Sequence, residues 1–303
     1  MSFKKIAFVL FLWGCLQSRY LLQTVQAGGR PKPLKVFPPD PEGCWLYNVT
    51  QNTWTPLNCT AYSLAITSPL TSLTQTMDCS GDLGHCFLYF VANQGSAGVY
   101  GISANDLLPT SLSTTQYTNP FASFWVGVEP INQESLVQSG IVYGAGVSSS
   151  TPRMFDEFVG NFTWDGLNCD TQFCGILAYV NPGDTVIPYD YWTQYPNGTT
   201  YWFATVYDYN TGGDLVISIP ASTVGEMYYG YVVFEGYGLT SMSMLPSSPI
   251  SAQGIELYSK DGFGSSPSSG QFGCSYSESF FSCGSGSITM TISYSQPNVG
   301  WSW

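Results

Sequence analysis

Short runs of β-branched and aromatic residues recur along the chain, separated by clusters of Gly, Asn, Pro and Ser. They include HCFLYFVA (85–92), ASFWVGV (122–128), SLVQSGIVYG (135–144), CGILAYV (174–180), TTYWFATVYDY (199–209), DLVISIP (214–220), YYGYVVFEGYG (228–238), QGIELYS (253–259) and SITMTISYS (287–295). Runs of this length with these punctuators are strand signals, and the 3.6-residue periodicity of amphipathic helices is scarce. NPGD (181–184), YNTGGD (209–214) and SKDGFG (259–264) lie between runs and offer glycine for positive φ, as hairpins require. The pattern predicts an all-β chain built as a two-sheet antiparallel β-sandwich. The low-complexity segment 262–273 reads as a surface loop, and no internal repeat is visible.

The first 27 residues break this pattern. Lys4 and Lys5 precede an apolar run from Ile6 to Leu16, and small-residue cleavage fits after Ala27. The segment is read as a secretory signal, which predicts a secreted, extracellular protein. A lipoprotein reading of LWGC (12–15) is the alternative, with Trp13 in a place where a small residue is usual. No later stretch approaches the roughly 20 apolar residues of a membrane-spanning helix, so no stable membrane insertion is expected. Residues 28–43 are proline-rich and read as a linker or short pro-segment, and 44–303 as a single β-sandwich domain.

Export changes the meaning of the cysteines. Eight remain after Cys15 leaves with the signal, and proximity pairs Cys44 with Cys59, Cys79 with Cys86, Cys169 with Cys174 and Cys274 with Cys283. Four sequons, at Asn48, Asn58, Asn161 and Asn197, make the chain a candidate glycoprotein in a eukaryotic secretory pathway. Beyond residue 27, five basic residues face 20 acidic ones, a net charge of −15. Such a surface repels phosphate backbones, so no nucleic-acid partner is expected. With so few cations, protonating the carboxylates leaves little positive charge to repel itself, which suits an acidic milieu.

Several chemistries lack their residues. His85 is the only histidine, no serine lies in GxSxG, and neither paired Asp-Thr-Gly motifs nor phosphate-cradling glycine loops occur. No CxxC occurs either, and neither a metal nor a cofactor is expected. Carboxylates, amides and rings remain, which suffice for general acid/base hydrolysis or for sugar binding. Seven aromatics crowd YDYWTQYPNGTTYWF (189–203), where exposed rings would stack on polysaccharide and buried ones would form cross-strand pairs.

Over roughly 120–260 the chain resembles the glutamic peptidases, the eqolisins. FWVGVEPINQESLVQSGIVYG (124–144) is similar to that family's Trp-Val-Gly-Ile-Asp stretch and following Leu-Gln-Thr-Gly strand. FDEF (155–158), VNPGDTV (180–186) and TTYWFATVYDYNTGGDLVISI (199–219) then follow its Trp-Tyr-Glu-Trp, Ser-Glu-Gly-Asp and Thr-Thr-Gly segments in order, and YVVFEGY (231–237) follows its last catalytic strand. The resemblance implies a concanavalin-like jelly roll with an open groove and a catalytic dyad of Gln138 and Glu235. A one-residue shift of the last segment would bring Phe234 to the second position instead. It further implies supporting roles for Trp125, Glu129 and Glu157, and for Gly140, whose missing side chain would admit a substrate backbone. Glu129 stands where the family has aspartate, Arg153 where it has an acid, Phe155 and Phe158 where it has tryptophans, and Gly236 where an aspartate follows the catalytic glutamate. The family's early Trp-Gly-Gly strand has no counterpart in 44–120.

The function implied is a secreted acid endopeptidase acting on polypeptide, with Gln138 stabilising the oxyanion and Glu235 activating water as general base. The alternative is a catalytically silent β-sandwich that binds carbohydrate or protein. On that alternative Gln138 is a hydrogen-bonded strand amide, Glu235 a strand-end carboxylate and Asp156–Glu157 a solvated acidic pair.

Overall fold

Alternation along the strands decides the architecture. In SLVQSGIVY, Val137, Ile141 and Tyr143 point one way with Ser139, and Leu136, Gln138, Gly140 and Val142 point the other. A computed structural model describes residues 37–62, 85–93, 98–107, 121–143, 152–170, 173–237, 251–260, 264–265, 272–276, 282–283, 289–296 and 299–302. In chain order the strands are β1 (Cys44–Asn48), β2 (Thr53–Leu57), β3 (Thr60–Tyr62), β4 (His85–Asn93), β5 (Gly101–Leu107), β6 (Phe121–Pro130) and β7 (Ser135–Tyr143). They continue with β8 (Arg153–Gly160), β9 (Thr163–Trp164), β10 (Leu167–Asn168), β11 (Phe173–Tyr179), β12 (Thr185–Gln194), β13 (Thr200–Asp208) and β14 (Gly213–Pro220). One helical turn, α1 (Ala221–Val224), precedes β15 (Met227–Tyr237) and β16 (Ser251–Tyr258), and β17 (Gly264–Ser265), β18 (Phe272–Tyr276), β19 (Ser282–Cys283), β20 (Thr289–Gln296) and β21 (Val299–Ser302) complete the set.

Two large antiparallel sheets and a two-stranded one, β9 with β10, form among the described residues, so the fold is the expected all-β sandwich, and the two large sheets are its layers. One has the order β19-β20-β16-β5-β12-β13-β14-β1-β2, with β17 on β16 and β21 on β20. The other runs β18-β4-β15-β6-β7-β8-β11-β3. Strands β7 and β8 lie against β12, β13 and β14. Between the sheets sits one apolar core, with Phe124, Val126, Val137, Ile141, Met154, Phe158 and Val232 from the second sheet and Trp202, Ala204, Val206, Leu215, Ile217 and Ile219 from the first. Burying each large apolar side chain there contributes about 1.5–3 kcal/mol.

The two disulfides among the described side chains match the proximity pairing, Cys44 with Cys59 and Cys169 with Cys174. The other two expected pairs fall outside the described side chains. Asn58, Asn161 and Asn197 are exposed and Asn48 is half-buried. The YNTGGD turn joins β13 to β14 with Gly212 at φ 73°, and NPGD turns with Gly183 at φ 89°, both in the left-handed region. The proline-rich stretch packs from Phe37 onward: its ring lies 4.1 Å from that of Tyr195, and the carbonyl of Pro41 accepts from the Ser218 hydroxyl.

Strand β12 carries Pro188 in its middle, and proline cannot donate to a ladder. It nevertheless lies between β13 and β5. Pro188 pairs with Val206 on β13, and the β5 pairing is interrupted at residues 187 and 188, where the missing N–H costs no bond.

Candidate active site

The register of the second sheet sets five residues side by side. Gln138 on β7 lies opposite Gly127 on β6 and opposite Glu157 on β8. Gly127 in turn faces Tyr231 on β15, and Glu157 faces Gly175 on β11. Residues opposite one another in antiparallel strands share a face, so Tyr231, Gly127, Gln138, Glu157 and Gly175 form one row on the side away from the core. Glycines flank the amide–carboxylate pair at one remove on each side.

Gln138 and Glu157 are 4% and 3% exposed. The Gln138 Nε2 donates to Glu157 Oε1 at 2.5 Å. A carboxylate can only accept, so this bond fixes which end of the amide faces Glu157. The carbonyl Oε1 is turned away and is buried with no hydrogen-bond partner among the described atoms. An acceptor held in that state strongly favours a donor that arrives from outside, whether a water or a backbone N–H.

Glu129, two residues from Gly127, belongs to a second pair. It is 3% exposed and its Oε2 accepts from the Tyr231 hydroxyl at 2.7 Å and from Gln133 Nε2 at 3.5 Å. Burial raises the Glu129 carboxyl above its ordinary pKa, and the two hydrogen bonds work against that rise. The Tyr231 hydroxyl is raised too, chiefly by burial and then by the Glu129 charge, and is held as a neutral donor.

Trp125 is half-exposed and lies across the gap at Gly127, where an added Cβ would meet its Cζ3 at 2.8 Å. The indole therefore separates Gln138 from Tyr231. Gly140 behaves differently from the expectation of an open approach for substrate. The space of its missing side chain is taken by the Phe124 carbonyl and by Trp125 Cβ at 2.6 Å, so the glycine admits the neighbouring strand. Gly175 does the same beside Glu157, where an added Cβ would run into the Asp156 carbonyl and lie 2.8 Å from Glu157 Cα.

Residue 235 pairs with Ser123 on β6 and Phe87 on β4. By alternation it belongs to the face of Gln138, but it lies four residues beyond Tyr231, roughly 13 Å along the strand at about 3.3 Å per residue. Its side chain lies outside those described. The residue of β15 in the row of Gln138 is Tyr231, for which the sequence offered no role because a tyrosine in an aromatic run reads as packing.

Asp156 and Glu157 are both buried, so the solvated acidic pair is not what forms. They point to opposite faces. Asp156 enters the core between the sheets, fully buried, with neither carboxyl oxygen hydrogen-bonded. Asp190, also fully buried, enters from β12. Burial raises both carboxyls well above the ordinary range. Asp156 is raised further by the charges of Asp214, Asp190 and Glu157, and only the Ser139 hydroxyl works against the rise at Asp190. On the outer face of the first sheet Asp214 accepts from the Tyr189 hydroxyl at 2.6 Å, and burial pushes its pKa up to about 7. Sequence reading placed Asp156 in solvent and gave Asp190 and Asp214 no role; the available signal was an acid inside a run of alternating strand residues.

Among the described residues no three His, Cys, Asp or Glu side chains converge where a metal ion would sit. No helix among them is long and apolar enough to cross a membrane.

No family model matches this chain, and no curated protein matches it in sequence. Solved structures do. The chain is similar to scytalido-glutamic peptidase with a peptide-based transition state analog (15% identity, TM-score 0.48) and with a transition state analog inhibitor (16%, TM-score 0.49). It is also similar to SCP-B, a member of the eqolisin family of peptidases, in a complex with the tripeptide Ala-Ile-His (14%, TM-score 0.45). Each match covers 70% of this chain and 100% of the other.

Proposed function

We propose that the protein is a secreted acid endopeptidase whose working pair is Gln138 and Glu157. The observation that carries this reading is their buried hydrogen bond, with an unpartnered amide oxygen beside it. In its ionised form Glu157 takes a proton from a water that Gln138 Oε1 holds beside it. The resulting hydroxide attacks the scissile carbonyl. The second N–H of Gln138 donates to the oxyanion, and Glu157 returns the proton to the leaving amine. The scarcity of cations supports work at acid pH, since protonating the carboxylates leaves little positive charge to repel itself.

The resemblance assigns the base to Glu235. Contact with the amide favours Glu157, and the two variants Glu157→Gln and Glu235→Gln decide between them. Cleavage of a denatured protein at acid pH, unaffected by pepstatin, serine reagents and chelators, is the expected result for the unaltered chain. Absence of cleavage at every pH overturns the reading.

Tyr231 favours a second reading. Across Gly127 from the amide stands a phenol with a raised pKa, not an acid, which is what a catalytically silent relative would carry. Retention of polypeptide or polysaccharide without cleavage identifies that case.

A further inference from the structure

Arg153 is one of five basic residues beyond position 27, in a stretch with 20 acids. An arginine in such surroundings ordinarily pairs with a carboxylate. Here its described partner is a phenol: Nη2 donates to the Tyr179 hydroxyl at 2.7 Å, and the guanidinium carbon stands 4.4 Å from the centre of the same ring. Among the described residues it has no ion-pair partner, and its Nε is buried without a hydrogen bond. Tyr179 is 68% exposed, so the pair opens to solvent. The two residues are cross-strand neighbours on β8 and β11.

Position on the sheet ties this pair to the candidate active site. Arg153, Phe155 and Glu157 alternate along β8 and share one face, the face of Gln138. Arg153 is four residues from Glu157, roughly 13 Å at about 3.3 Å per residue, a distance that an extended peptide spans with four of its own residues.

We propose that Arg153 and Tyr179 form a carboxylate-binding subsite on this face, which selects polypeptides carrying an acidic side chain or a free C-terminal carboxylate about four residues from the bond held at Gln138 and Glu157. The inference rests on the reading above that a polypeptide lies along this face. Ring stacking and the hydroxyl bond hold the guanidinium in one orientation, which reduces the ordering needed when a ligand docks. The Nη hydrogens that Tyr179 does not take supply the donors that a carboxylate accepts. The strongly negative remainder of the molecule repels acidic peptides in general, so the preference is local to this position.

The test is equilibrium binding of fluorescein-labelled ten-residue peptides to the full secreted chain carrying Glu157→Gln. One glutamate is scanned along an otherwise neutral, C-terminally amidated peptide; glutamine replaces it in the controls, and a third set has a free C-terminus. At pH 5.5 the glutamate set at one position, or the free-terminus set, is expected to bind about tenfold tighter than its neutral control. The two sets tell side chain from terminus. Arg153→Leu should remove the difference, Arg153→Glu should reverse it in favour of lysine, and Arg153→Gln guards against a folding defect in the leucine variant. At pH 3.5, below the ordinary pKa of a glutamate of about 4.3, a side-chain preference should fade. Equal binding of all three sets, a preference that survives Arg153→Gln, or no binding at all overturns the proposal. Cleavage of denatured protein by the unaltered chain is scored separately. Cleavage without carboxylate preference refutes the subsite alone, and preference without cleavage refutes the peptidase reading alone.

Discussion

Gln138 and Glu157 stand opposite each other on β7 and β8, and the amide nitrogen of the first donates to the carboxyl of the second within a buried row of the sheet. The bond leaves one acceptor and one N–H of the amide for a ligand, so each partner has a separable consequence.

Replacing Gln138 by Ala removes the oxyanion donor and should lower kcat by about two to three powers of ten. Glu157→Gln keeps the shape but removes the base, and should abolish cleavage at all pH values. Glu235→Gln should leave at least a tenth of the rate, roughly, if the base is Glu157. Steady-state kinetics on a quenched peptide check all three. Loss of activity in Glu235→Gln with retention in Glu157→Gln would return the base to Glu235.

Tyr231→Phe deletes the stronger of the two hydrogen bonds received by Glu129. A buried carboxylate losing a donor should cost about 1–3 kcal/mol, and the Glu129 carboxyl should titrate at higher pH than before. Urea unfolding at pH 4 and pH 7 checks this, with the larger loss at pH 7, where the charged form must be buried.

Asp156, Asp190 and Asp214 all have carboxyls raised by burial, the last to about 7. In the unfolded chain each ionises near pH 3.9. Between that value and its folded pKa the native state therefore holds protons that the unfolded state releases, and stability falls as pH rises. The thermal midpoint should be highest at or below about pH 4 and decline toward pH 7, each pKa unit counting about 1.4 kcal/mol. Asp190→Asn and Asp156→Asn should flatten that decline. A midpoint that rises from pH 4 to pH 7 would contradict the assignment.

Gly140→Ala and Gly175→Ala place a methyl against neighbouring backbone. Each should destabilise by about 1–3 kcal/mol or more, because carbonyls and Cα atoms cannot move aside as side chains do. Chemical denaturation measures it; an unchanged midpoint in both would mean that the strands are more widely spaced than described.

The sandwich was legible because its signal is local. Nine of the longer strands announce themselves by β-branched and aromatic runs between turn residues, and the two described disulfides join cysteines close in sequence. Whether β12 could hold Pro188 depended on which neighbour needs its N–H. Gln138 and Glu157 could be named from the residues around them, but their contact could not be derived, since a shift of one residue between β7 and β8 would send one of them to the core.

The acids divide in the same way. Composition alone determined that the molecule is strongly acidic with few cations, since charge is a sum and needs no coordinates. Whether an acid meets an amide, a phenol or the apolar interior was decided by strand register and sheet packing. Glu157 reached Gln138, Glu129 reached Tyr231, and Asp156, next in the chain to Glu157, was turned into the core. The physical reason is that a strand alternates its faces every residue, so position along the chain leaves open what each side chain touches until neighbouring strands are set beside it.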